Sequence, residues 1–192
     1  MQDAPDDDAV VEALKVYDRL TGLCGDQRRE AHRADIDGMV RSALEELRPY
    51  GKPSSAQGKV VWHPDGLEAP VIGYYDFLWD EHGLVVDLKT TEKMPSQVKI
   101  GHARQVALYA AGGGGNLEGR LTYVTPKKRA TYRLENTRDH LAALAAIARA
   151  VERFLALSDD PEFFTSITVP DLENFYWGAP AARQKAFDVW AV

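Results

Sequence analysis

The sequence predicts an α/β domain built on a mixed sheet, and three observations carry that prediction. Helix-periodic segments occupy both ends of the chain, β-branched and aromatic runs fill its middle, and one helical segment separates the third run from the fourth. Five strands interrupted in this way are too few for a sandwich and too irregular for a doubly wound nucleotide fold. A length of 192 residues suits one domain with a sizeable core, divided here into N-terminal helices (1–50), a central region (58–135) and a C-terminal helix with its tail (137–192).

The elements follow in order. Val10, Leu14, Tyr17 and Leu20 recur at helical spacing, and Gly22 and Gly25 end that helix. A second helix is expected from about Asp26 to Leu47, with Ile36, Val40, Ala43, Leu44 and Leu47 on one face. The turn formers of RPYGKPSSAQG then break the chain. GKVVWH (58–63), PVIGYYDFLWD (70–80) and GLVVDLKT (83–90) read as an antiparallel meander, separated by PDGLEA and EH. A helix over about 97–111 follows and is closed by GGGGN. Those glycines come after a helix rather than before one, so they do not form a phosphate-cradling loop. GRLTYVTP and RATYRLE are two further strands joined at the basic turn KKR (127–129). Thr137 is placed to cap a long, alanine-rich amphipathic helix. The tail is mostly irregular, with a short helix near 180–190 and aromatic residues that pack it onto the body.

Composition narrows the function classes. With 45% hydrophobic and 27% charged residues the chain is that of a soluble globular protein, and no apolar run approaches the roughly 20 residues that cross a bilayer. The acidic N-terminus lacks a basic-then-apolar signal pattern, so a cytoplasmic location is expected. The single cysteine, Cys24, excludes an internal disulfide, a cysteine-only zinc site and a four-cysteine iron–sulfur cluster. It has no paired base or acid pattern that would make it a nucleophile. DAPDDDA reads as a solvated, frayed terminus. A net charge of −6 argues against a generally basic nucleic-acid binder but leaves room for a local basic groove or a metal site that holds phosphate.

The chemistry concentrates in VIGYYDFLWDEHGLVVDLKTT (71–91). Alternate residues of a strand share a face, so Asp87 and Lys89 point one way and Val86 and Leu88 the other. With the turn near Glu81, His82 and Gly83, Asp76 on the preceding strand comes to rest close to Asp87. Hard cations such as Mg²⁺ bind one or two carboxylates plus waters and substrate phosphate, and a neighbouring lysine can orient water or offset charge. An Asp-x-Lys on a solvated hairpin edge is, by itself, only a surface ion pair worth little. The downstream helix adds a second signal. Gln105 and Tyr109 stand four apart on one helix face, with His102 three residues before Gln105.

Together these residues resemble the PD-(D/E)XK nuclease superfamily, particularly the RecB-family and phage-type exonucleases. That pattern is Gly-x-x-Asp, then Asp/Glu-x-Lys, then Gln-x-x-x-Tyr. Gly73 and Asp76, Asp87 and Lys89, and Gln105 and Tyr109 match its three elements in order, and the similarity extends over about 58–135. The resemblance implies a restriction-endonuclease-like core of helix, three-strand meander, helix and two strands, with extra N- and C-terminal helices. It implies a Mg²⁺- or Mn²⁺-dependent deoxyribonuclease, an exonuclease rather than an endonuclease. Asp76 and Asp87 would bind the metal with the Leu88 carbonyl, Lys89 would position or activate water, and Gln105 and Tyr109 would shape the site and contact the DNA strand. Relatives often add a ligand from the helix before the strands. His32 and Glu46, on or beside the apolar face of that helix, are the candidates, although the local wording departs from the family's glycine-to-histidine motif.

The partner implied is DNA, with a homo-oligomer or a recombination or helicase partner as further expectations, since no helicase motif is present. Lys93, Lys99, Arg104, Lys127, Lys128 and Arg129 are candidates for a phosphate-neutralising groove. Trp62 and Trp79 fit strand packing better than base stacking, and His63, His82 and His140 lack ligand-like spacing. Two other readings stay open: a non-catalytic DNA-binding or assembly subunit that keeps the fold, and a structure-specific endonuclease resembling a junction resolvase.

Overall fold

The β-branched runs in the middle of the chain can bury two faces only if helices cover both. The computed structural model, which describes residues 6–23, 26–113, 117–174 and 177–191, has that arrangement. Helices α1 (Asp6–Thr21) and α2 (Arg29–Leu47) come first. Strands β1 (Ser55–Trp62), β2 (Val71–Trp79) and β3 (Leu84–Thr90) follow, then α3 (Ile100–Gly112), then β4 (Glu118–Val124) and β5 (Arg129–Arg133). The chain continues through α4 (Thr137–Leu155), α5 (Pro161–Ile167) and α6 (Pro180–Trp190).

The five strands form one sheet in the order β1-β2-β3-β4-β5. Short connections pair β1 with β2, β2 with β3 and β4 with β5 antiparallel. The β3–β4 pair is parallel because the chain returns through α3, the long crossover that parallel neighbours require. Thr125 closes the β4–β5 turn: its N–H donates to the Lys128 carbonyl at 2.8 Å, and its Oγ1 accepts from the Lys128 N–H at 2.8 Å.

Each face of the sheet has its own core. On one side Val60, Val85, Leu121 and Tyr123 of the sheet pack against Val106 of α3, with α4 against α3. On the other side Leu47 of α2 packs with Trp79, Leu84 and Val86, and α1 lies on α2. Strand β3 divides its residues between the two cores, Val85 to one and Leu84 and Val86 to the other, as strand alternation requires. Trp79 serves packing: its indole N–H donates to the Gly51 carbonyl at 3.1 Å and its ring meets Tyr50 edge-on.

The structure departs from the sequence expectations at a few helix ends. Helix α2 begins at Arg29 rather than near Asp26. Thr137 is the first residue of α4 and not its cap; that position belongs to Asn136, which takes a left-handed backbone (φ 53°) that Asn tolerates. Helix α5 was not expected, yet it carries a start signal: Asp160 accepts from the Glu162 N–H at 3.0 Å, with Pro161 in the first turn. The acidic terminus is not frayed from Asp6 onward, because Asp6 pairs with Arg48 and Asp7 with Arg41. Residues 3–5 of that run, Cys24, Gly25, Gly114, Gly115 and the tail aromatics Phe175 and Tyr176 lie outside the described residues. Among the described residues no helix is long and apolar enough to cross a membrane.

Candidate active site

The site forms where β2 leaves β3. Their ladder pairs Trp79 with Leu84, Leu78 with Val85 and Phe77 with Val86, and one further step in that register sets Asp76 opposite Asp87. The ladder ends there. Asp76 Oδ2 instead accepts the backbone N–H of Leu88 at 2.7 Å, while β3 runs on beside β4 with Lys89 next to Tyr123. Two carboxylates thus meet at a fork between strands, and the ladder position that would have separated them is taken by a side chain.

Asp87 is 2% exposed, on the α3 side of the sheet. Lys89 Nζ lies 2.9 Å from its Oδ2 as a close ion pair, and that buried oxygen takes no well-aligned hydrogen bond from any described residue. Burial pushes the Asp87 carboxyl up to about 6; Lys89 pulls against the rise and the charge of Asp76 adds to it. A buried oxygen acceptor with an adjacent carboxylate fits a hard cation that keeps water and substrate phosphate among its ligands.

Helix α3 covers this fork. The Gln105 side-chain amide donates to the Tyr109 hydroxyl, one helical turn on. Tyr109 is 2% exposed, and its hydroxyl lies within reach of the charges of Asp87 and Asp76. Burial pushes its hydroxyl up to about 12, which keeps the proton on oxygen. Gly73 lies directly beneath: a Cβ there would fall 2.7 Å from Tyr109 Cε1 and 2.8 Å from Leu108 Cδ2. The glycine of the first motif element and the tyrosine of the third are therefore a packing pair.

The structure does not bring His32 or Glu46 to the aspartates. Helix α2 covers the face of the sheet opposite to Asp87. His32 Nε2 lies 3.4 Å from Glu92 Oε1, and Glu46 accepts from Thr131 Oγ1 at 2.6 Å and pairs with Arg129 at 3.3 Å. Among the described residues no three His, Cys, Asp or Glu side chains gather into a metal cage. Leu88 turns its side chain toward α1 and α2, where it lines an apolar cavity of about 830 Å³. Of the basic candidates, Lys93, Lys127 and Lys128 line a cleft of about 550 Å³ beyond the ends of β3 and β4, shared with Asp35 and Glu92. Arg129 is taken up by Glu45 and Glu46.

Two further side chains adjoin these residues, and of them only Gln57 had no signal in the sequence. Gln57 of β1 donates its amide to Asp76 Oδ1 at 2.9 Å. His102 of α3 sets Nδ1 2.8 Å from the Tyr123 hydroxyl, beside Lys89 in the sheet. Burial, then the charges of Lys89 and Lys99, hold His102 below its ordinary value. Its helical spacing from Gln105 was a usable signal; nothing local marked Gln57.

No protein-family model and no curated protein matches the chain. Among solved structures, the chain is similar to a Eubacterium rectale protein named "putative exonuclease", with a TM-score of 0.50 and 14% identity. The match spans 77% of this chain and 65% of that one. The structure described as SSO0001 has a TM-score of 0.47 and 20% identity, over 90% of this chain and 85% of that one. The five-stranded mixed sheet flanked by helices is a restriction-endonuclease-like fold.

Proposed function

We propose that the chain is a metal-dependent DNA nuclease of the PD-(D/E)XK type, acting as an exonuclease. The observation that carries this reading is the fork itself. Asp76 and Asp87 face one another where β2 and β3 part, and Lys89 lies 2.9 Å from a buried Asp87 oxygen that takes no well-aligned hydrogen bond from the described residues. A fold shared with a protein named as an exonuclease supports it.

Asp76 and Asp87 would hold Mg²⁺ or Mn²⁺, with the Leu88 carbonyl as a further oxygen. When bound, such an ion polarises a phosphoryl oxygen and lowers the pKa of water toward neutrality. The chain's own residues supply the rest. Lys89 orients the attacking water and balances negative charge as it builds on the phosphate. Burial of Asp87 keeps bulk water from screening that interaction. The Gln105–Tyr109 hydrogen bond holds the floor of the site rigid under the two strands. Lys93, Lys127 and Lys128 would carry phosphates leading away from the fork.

The test is Mg²⁺-dependent degradation of end-labelled linear DNA, with closed circular and branched DNA beside it. Linear DNA should be degraded from its ends and circles spared, and Lys89→Ala should lose about 100-fold of the rate. Cleavage of circles or junctions would point to an endonuclease. Binding of DNA without cleavage of any substrate, with either metal, would leave a non-catalytic subunit.

A further inference from the structure

Gln57 has a left-handed backbone, φ 55°, in the middle of an edge strand. That region suits glycine and, less well, asparagine; an exposed glutamine gains no burial by adopting it. The distortion falls at one point of the β1–β2 ladder. Ala56 pairs with Phe77 and Gly58 with Tyr75, and the intervening residues, Gln57 and Asp76, form no ladder pair.

Strand β2 changes face at the same place. Tyr75 and Leu78 both belong to the core under α3, whereas Phe77 and Trp79 belong to the core under α2. A strand with unbroken alternation would not place residues three apart on one face. Continued from Gly73 and Tyr75, that alternation would send Asp76 to the face away from Asp87. The break brings it round, and the Gln57 amide then meets Oδ1 at 2.9 Å while the Leu88 N–H meets Oδ2 at 2.7 Å. Each carboxylate oxygen retains a free lone pair for a cation.

We infer that Gln57 is a positioning residue for Asp76: its left-handed backbone turns β2 at the fork, and its amide holds the carboxylate in the orientation a metal needs. Partners of this kind orient metal ligands and typically change affinity 10- to 100-fold when removed. The inference rests on the metal-binding reading of Asp76 and Asp87.

The experiment is calorimetric titration of Mn²⁺ alone into the native protein, Gln57→Gly and Gln57→Asn, with thermal melts of all three. Glycine accepts the backbone conformation and lacks the amide, so Gln57→Gly should melt at or above the native temperature yet bind Mn²⁺ about 10-fold more weakly. Asparagine keeps an amide on a shorter stem and should fall between the two. Native Mn²⁺ affinity in Gln57→Gly overturns the inference while leaving the metal site intact. Absence of Mn²⁺ binding by the native protein removes the metal reading, and this inference with it.

Discussion

Gly73 of β2 and Tyr109 of α3 touch so closely that a single added carbon at Gly73 would lie 2.7 Å from the tyrosine ring. The Gly-x-x-Asp and Gln-x-x-x-Tyr elements are therefore one packing unit, and the helix can sit low over the fork only while residue 73 has no side chain. Gly73→Ala should cost about 1–3 kcal/mol, the usual range for overpacking a filled core. Urea unfolding measures it. A stability equal to the native protein's would mean that α3 shifts freely, against the close fit described.

Asp87 makes stability depend on pH in a definite direction. Its carboxyl titrates near 6 in the fold against 3.8 when unperturbed, so between those values the folded chain binds more protons than the unfolded one. Stability from this group is greatest below about pH 3.8 and declines as pH rises through 6, by on the order of 3 kcal/mol. Asp87→Asn should accordingly raise the melting temperature at pH 8 in the absence of metal, with the gain shrinking toward pH 4. Equal melting temperatures at pH 8 would show that the buried charge is already compensated.

Lys89 holds the Asp87 carboxyl down against the effect of burial. Removing the ammonium should therefore move Asp87 further upward, beyond about 6. For Lys89→Ala, the pH at which half the Mn²⁺ affinity is lost should lie higher than for the native protein. Metal titrations across pH 5–8 would read this separately from any effect on cleavage. An unmoved midpoint would mean that the 2.9 Å contact carries little coupling.

Glu46 has partners of its own on β5. Its hydrogen bond from Thr131 and its pairing with Arg129 tie α2 to β5, far from a ligand's task. Glu46→Ala should lower stability by about 1 kcal/mol through the lost hydrogen bonds and leave Mn²⁺ affinity unchanged. His32→Ala should likewise leave the metal titration unaltered. A clear loss of affinity in either variant would restore a ligand from the N-terminal helices.

Much of the candidate site was legible in the sequence because its members sit in pairs within single elements. Asp87 and Lys89 are two apart on β3, Gln105 and Tyr109 four apart on α3, and strand and helix periodicity place each pair on a common face without reference to the rest of the chain. The order of strands and helices followed from the same short-range periods. What lay beyond them was decided by docking. Helix α2 chose the face of the sheet opposite Asp87, which withdrew His32 and Glu46. Helix α3 came down onto Gly73, which buried Tyr109. The alternation of β2 breaks opposite the left-handed Gln57, whose amide reaches Asp76 across 19 residues of chain. Periodicity determines which side chains share a face of one element; only packing between elements determines which faces meet.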